Sequence, residues 1–202
     1  GCDQSCTFCI IHKARGPSQS FSLDYVERQI ETLIGKDYHE FVICGVDLGS
    51  WGADLKSRHP TIRQDIVTLL QRVSSLTGDY RIRLSSIDPI HLTDELVELI
   101  SSSDRFCPHF HISLQSANPL ILKRMKRRYN KELLYQRIEA ARCRIPGLVL
   151  SADILVGFPT ESETQFEDTL CAINNLEIAY PHVFMYSARA GTPASRIPSQ
   201  AP

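Results

Sequence analysis

Three cysteines stand within the first nine residues, in the run Gly1-Cys2-Asp3-Gln4-Ser5-Cys6-Thr7-Phe8-Cys9. The spacing Cys-x3-Cys-x2-Cys lets one short loop present three thiolates to a common object. Iron–sulfur clusters are held by cysteine thiolates, normally four. Three thiolates hold three corners of a cubane and leave one iron with an open position, as a catalytic zinc keeps one position open. An open iron can take an amine and a carboxylate together, the pair that the methionine part of S-adenosylmethionine carries. A second reading stays open on spacing alone. His12 stands three residues after Cys9, and Cys2, Cys6, Cys9 and His12 would make a Cys3His structural zinc site.

Such a loop needs a scaffold, and the chain alternates strand-like and helix-like segments, the pattern of an α/β fold with parallel strands. A helix is expected over 22–35, where Val26, Ile30, Leu33 and Ile34 fall on one face, Asp24 and Glu27 offer a capping-box start and Gly35 a C′ position. A buried strand is expected over 41–46. A helix follows over 61–76 on Ile62, Ile66, Leu69, Leu70 and Val73, then a strand over 80–87, a short helix over 93–100 and a strand over 109–115. Two helical pieces, divided at Asn130, fill 118–143. A strand over 148–156 ends at Gly157. Thr160 and Glu163 spell a capping box for a helix whose face is Phe166, Leu170 and Ile173, and a last strand covers about 181–187.

This order gives five strands, four helical crossovers and one helix ahead of the first strand. A further strand is expected before Gly1, from which the cysteine loop would emerge. The fold class is therefore α/β, a partial TIM-like (β/α)6 barrel with its first strand missing, and its site belongs at the C-terminal ends of the strands. Residues 1–195 form the core domain, and 196–202, with two prolines, reads as a linker.

The 202 residues are 43% hydrophobic and 22% charged, with a formal charge of −1, which suits a folded globular domain and excludes a wholly basic nucleic-acid binder. Locally the balance differs. Lys123, Arg124, Lys126, Arg127, Arg128 and Lys131 place six basic residues in nine positions, a cluster able to contact RNA phosphates or to form a solvated helix face. No run of 18 apolar residues and no signal-peptide pattern is present, so no membrane partner is expected. Seven cysteines, an odd number, argue against a disulfide framework and for a reducing, cytoplasmic setting. Cys44, Cys107, Cys143 and Cys171 are expected to be small buried hydrophobes.

The loop, with Phe8 before its last cysteine, resembles the cluster loop of radical S-adenosylmethionine enzymes. The stretch from Ile10 to Ser18 resembles the MiaB-like tRNA methylthiotransferases of that superfamily. Five further segments match in order: Gly45 to Gly52, Leu84 to Pro89, His111 to Ser116 with Leu122 to Arg128 behind it, Ala152 to Glu161, and Tyr186 to Ala194. Gly45-Val46-Asp47-Leu48 and Ser85-Ser86-Ile87-Asp88-Pro89 are most similar to the branch acting on N6-threonylcarbamoyladenosine. His12, Gln19, Ala117, Tyr129, Ala188 and Ala190 depart from the family's usual proline, arginine, glycine, histidine and two prolines.

The resemblance implies a [4Fe-4S] cluster on Cys2, Cys6 and Cys9, and reductive cleavage of S-adenosylmethionine there. It implies addition of a methylthio group to an adenosine beside the anticodon of tRNA, with an external electron donor. It also implies an N-terminal domain with a second cluster and a C-terminal RNA-binding domain of the TRAM type, neither within these residues. Phe8 would stack on the adenine. Gly45 and Gly49 would let backbone approach the methionyl amine, and Asp47 would accept from it. Ser113 and Gln115, on one face of their strand, would reach the ribose or the methionyl carboxylate. Asp153, a carboxylate in an apolar strand that needs a partner, would serve cofactor or substrate. Gly157 and Pro159 would shape the loop against the adenine. Lys123, Arg124, Lys126, Arg127 and Arg128 would bind RNA, with Arg124 alternatively turned to a cofactor carboxylate.

Overall fold

A computed structural model describes residues 1–55 and 63–198. The start of the helix expected over 61–76, including Ile62, and the end of the 196–202 linker lie outside the described residues. Seven α-helices and six strands occur among those described: α1 (Ile11–Ala14), α2 (Leu23–Ile34), β1 (Glu40–Ile43), α3 (Ile66–Ser74), β2 (Arg81–Leu84), β3 (Ser86–Ile87), α4 (Asp94–Ser101), β4 (His109–Gln115), α5 (Pro119–Met125), α6 (Lys131–Arg144), β5 (Val149–Val156), α7 (Glu163–Asn175) and β6 (Ile178–Met185).

All strand pairs are parallel, β1 with β2 and then β3–β4–β5–β6. The expected strand over 80–87 is split at Ser85. Its first half pairs with β1, its second half with β4, and Ile82 also bridges Phe106 just ahead of β4. Five strand positions therefore follow one another in chain order, with helices between them.

The strand pattern divides two environments. On β4, Phe110, Ile112 and Leu114 are fully buried against the helices, whereas His109, His111, Ser113 and Gln115 turn to the other, inner face. The helices contribute Ile30 of α2, Leu69, Leu70 and Val73 of α3, Leu96 and Val97 of α4, and Leu134 and Ile138 of α6 to one core. A separate small core gathers Ile121, Met125, Phe158 and Ala194, with Phe8 and Tyr186 packed on it.

Several boundaries differ from expectation. α2 is capped by Ser22, whose side chain accepts from the Tyr25 amide, rather than by Asp24. Gly35 is a right-handed C-cap (φ −63°), and the left-handed residue beyond it is Asp37. The capping box of α7 is Ser162 with Gln165, two residues past Thr160. Its buried residues are Thr169 and Ala172, while Leu170 is exposed. β1 stops at Ile43, and β6 begins at Ile178, because Pro181 sits in an edge strand where a missing amide hydrogen is tolerated. Cys44, Cys143 and Cys171 are exposed and Cys107 is half-buried, so the four scattered cysteines are not core residues; all seven are free thiols.

Candidate functional site

The cysteine loop is fastened by leftover helix carbonyls. α5 ends at Lys126, a left-handed residue (φ 59°), which leaves late carbonyls of the helix without intrahelical donors. Thr7 takes two of them: its amide donates to the Met125 carbonyl (3.0 Å) and its hydroxyl to the Arg124 carbonyl (2.7 Å). The Thr7 carbonyl accepts from the Ala194 amide (3.0 Å), and Lys126 Nζ donates to Ser5 Oγ (2.8 Å). The Cys2 amide donates to the Gly16 carbonyl (3.2 Å). The loop is thus held against α5, the segment after β6 and its own return.

Cys2, Cys6 and Cys9 line one cavity of about 210 Å³ at the C-terminal strand ends, with Gln4, Phe8, Asp47, Asp88, Ser113, Gln115, Arg127 and Arg128 in its wall. Each sulfur has an N–H donor. The Gln4 amide reaches Cys2 Sγ (3.4 Å), the Ile11 amide Cys9 Sγ (3.4 Å), and Arg127 Nη1 Cys6 Sγ (3.5 Å). Burial pushes the Cys2 thiol above its ordinary range.

Beneath the sulfurs lies a network of buried charges. Arg127 Nη2 donates to Asp88 Oδ2 and to the Ser113 carbonyl, each at 2.9 Å. Arg128 Nη2 lies 3.0 Å from Asp47 Oδ1 and 3.2 Å from Asp88 Oδ2. Asp47 also accepts from Ser50 Oγ (2.9 Å) and faces His91 Nε2 (3.7 Å). Burial alone would raise the Asp47 carboxyl, but Arg128, Ser50 and His91 together hold it below the usual carboxylate range. His91 is pushed down, first by burial and then by Arg128. Tyr129 is buried behind Arg127, its ring 5.2 Å from the guanidinium carbon, and donates to the Ser113 and Leu114 carbonyls. Burial moves its hydroxyl well above the ordinary phenol range.

Of the residues singled out in the sequence, the structure brings together Cys2, Cys6, Cys9, Phe8, Asp47, Ser113 and Gln115 around that cavity. Gly45 lines a neighbouring cavity that Asp47 shares. Gly49 is covered by the His91 ring, where an added Cβ would come within 2.2 Å, so its small size serves packing. Asp153 lies outside the cavity wall and has the partners its burial demands: His111 Nε2 at 3.0 Å and Ser86 Oγ at 3.4 Å. Gly157 takes φ 72° and donates its amide to Glu161 Oε2 (2.8 Å), a carboxyl raised by burial.

The basic run divides. Lys123, Arg124 and Lys126 are exposed, and Arg124 binds the Thr160 hydroxyl (2.5 Å) rather than an inward carboxylate. Arg127 and Arg128 do not share that face. Lys126 ends the helix, and the chain turns both guanidinium groups inward to Asp88 and Asp47. Sequence reasoning missed this network, Gln4, Ser50 and His91 included. The available signal was Asp88, a lone carboxylate directly after a buried strand.

His12 is not in the cavity wall. Among the described residues no three His, Cys, Asp or Glu side chains converge as ligands of one ion. A structural zinc would need that convergence, whereas each thiolate of a cubane holds its own iron.

The family model described as the radical SAM superfamily matches residues 1–171. The chain belongs to the radical SAM superfamily. Membership brings a [4Fe-4S] cluster and S-adenosylmethionine as cofactors. The residues present fit them: three thiols with N–H donors on their sulfurs, and a polar wall of Asp47, Ser113 and Gln115 in the same cavity. The superfamily fold is also seen in solved structures. The methyltransferase TsrM from Kitasatospora setae superposes with a TM-score of 0.75 over 96% of this chain and 37% of that one, at 16% identity. Coproporphyrinogen III oxidase from Escherichia coli gives 0.67 over 100% of this chain and 46% of that one, at 18% identity.

Among curated radical SAM relatives, the threonylcarbamoyladenosine tRNA methylthiotransferase MtaB of Rickettsia prowazekii is 46% identical over 198 residues, 98% of this chain and 46% of that protein. The tRNA-2-methylthio-N(6)-dimethylallyladenosine synthase of Clostridium botulinum is 36% identical over 202 residues, 100% of this chain and 44% of that protein. The chain therefore spans a little under half the length of these relatives. No helix among the described residues is long and apolar enough to cross a membrane.

Proposed function

We propose that this chain is the radical-generating core of a tRNA methylthiotransferase that modifies N6-threonylcarbamoyladenosine beside the anticodon. The observation that carries the reading is the 46% identity to a threonylcarbamoyladenosine methylthiotransferase across nearly the whole chain, against 36% for the dimethylallyladenosine enzyme. Residues 1–195 act as the core domain. The residues after them lead toward an RNA-binding domain of the TRAM type, and a domain with a second cluster supplies sulfur.

When bound, the cluster and S-adenosylmethionine supply one-electron cleavage of a carbon–sulfur bond, with the electron coming from an external donor. Cys2, Cys6 and Cys9 ligate three irons. Asp47 accepts from the methionyl amine, and its pairing with Arg128 keeps it ionised for that purpose. Ser113 and Gln115 orient the ribose or the carboxylate from one strand face. Phe8 stacks on the adenine while its ring also packs on the Met125 and Phe158 core, which limits its movement. Gly45 and Gly157 shape the loops around the nucleoside, and Asp153 faces the substrate side of the sheet.

Anaerobic reconstitution of this chain with iron and sulfide tests the first half. The expected product is a brown protein with about four irons, whose reduced spectrum changes on adding S-adenosylmethionine, and Cys6→Ala abolishes both. A colourless protein holding one zinc overturns the reading. For the second half, cells making the longer protein with Cys6→Ala are expected to lack the methylthio group on threonylcarbamoyladenosine in tRNA. Loss confined to dimethylallyladenosine instead would transfer the chain to the other branch.

A further inference from the structure

We infer that Arg127 is a positioning residue that sets the redox balance of the cluster by donating directly to the sulfur of Cys6. The inference rests on the cluster reading above and deepens it.

The geometry separates Arg127 from an ordinary structural arginine. Its side chain is only 9% exposed, and one nitrogen, Nη2, satisfies both structural demands, the Asp88 carboxylate and the Ser113 carbonyl. The other terminal nitrogen, Nη1, is left for Cys6 Sγ at 3.5 Å. Nε is also buried and has no acceptor among the described residues. The planar fork is fixed from three sides, by Asp88, by the Ser113 carbonyl and by the Tyr129 ring, so the direction of Nη1 is set before any metal arrives. The other two sulfurs receive backbone amides, from Gln4 and Ile11. Among the described residues, Cys6 alone is given a charged side-chain donor.

The consequence is electrostatic. A cluster gains one negative charge on reduction, and hydrogen bonds and positive charge at its sulfurs favour the reduced form. Asp88 cancels the distant effect of the guanidinium charge, because the two side chains are paired at 2.9 Å. What remains is the short-range donor. Reduction must precede cleavage of S-adenosylmethionine, so a residue that favours the reduced form controls how far a given donor can drive the reaction.

The test is a redox titration of the reconstituted chain, followed by electron paramagnetic resonance without S-adenosylmethionine. The variants are Arg127→Met, Arg127→Lys and the double variant Arg127→Met with Asp88→Asn. The double variant carries the same net charge as the native pair and lacks the donor. It also serves if Arg127→Met alone, with Asp88 unpaired, does not fold. At a fixed applied potential the reduced-to-oxidised ratio is expected to fall about tenfold in the double variant, which is about 59 mV for a one-electron couple. Arg127→Lys, which keeps a cation on a flexible stem, is expected to recover part of that ratio. A full cluster in the double variant with a ratio within twofold of the native one overturns the inference while leaving the cluster reading intact. A native chain that assembles no cluster overturns the cluster reading, and this inference falls with it.

Discussion

A buried guanidinium requires a carboxylate, and Arg127 and Asp88 are both less than a tenth exposed at 2.9 Å. Breaking such a pair from one side leaves an uncompensated charge, a loss of about 3–5 kcal/mol. Asp88→Ala is therefore expected to destabilise the chain by that order in urea denaturation. The Asp88→Asn, Arg127→Met double variant should recover part of it, because neither charge is then stranded. A loss below about 1 kcal/mol in Asp88→Ala would mean that Asp47, through Arg128, carries the network without Asp88. At this scale the sequence disclosed the three thiols, since spacing along the chain is itself the signal. It also marked Asp47, Ser113 and Gln115. It hid the inward arginines. A run of Lys and Arg looks the same whether its helix continues or stops, and the left-handed Lys126 that sends Arg127 and Arg128 inward is not a glycine.

Helix ends show how much of the element scale rests on single polar side chains. Asp65 caps α3, accepting from the Thr68 amide at 2.9 Å, with Arg63 at 2.5 Å on its other oxygen. Burial would raise its carboxyl, but the Thr68 amide, Arg63 and the Thr68 hydroxyl outweigh that and hold it below the usual carboxylate range. A depressed carboxyl stabilises the fold above its unfolded value and ceases to do so as pH falls through the folded value. Asp65→Ala is expected to cost about 1 kcal/mol near neutrality. The gap between native and Asp65→Ala melting curves should close only below pH of about 4. A gap that persists unchanged to pH 2 would show that the side chain caps equally well when protonated. Periodicity disclosed α2 and α3, whose expected apolar faces pack on the core, whereas α6 has little amphipathic period and α7 buries Thr169 and Ala172 instead of its expected face. Caps slipped by two residues at α2 and α7, where Ser22 accepts from the Tyr25 amide and Ser162 from the Gln165 amide, and Asp24 and Thr160 cap neither helix. The split at Ser85 coincides with a break in the alternation, Ile82 and Leu84 being followed by Ile87 with Ser85 and Ser86 between, and the strand divides where its neighbour changes.

The molecule as a whole carries a formal charge of −1, so it exerts no long-range pull on a polyanion. What basic surface the run offers is narrower than its six residues suggest. Arg127 and Arg128 are consumed internally, and Lys123, Arg124 and Lys126 remain exposed. Their position matters more than their number. Lys126 touches Ser5 and the Arg124 carbonyl holds Thr7, so the exposed charges sit on the rim of the loop that carries the three thiols. A tRNA phosphate bound there would bring its base to the cavity, not to a remote face. Reversing Lys123 and Arg124 to Glu is expected to weaken tRNA binding at low salt. It should also reduce the slope of log affinity against log salt by about 1 per lost phosphate contact. The exposed pair Arg28, on α2, and Lys36, just beyond it, reversed in the same way, should leave that slope unchanged. An equal loss from both pairs would mean that this chain attracts RNA only through its overall charge, and that the rim of the cysteine loop does not place the base.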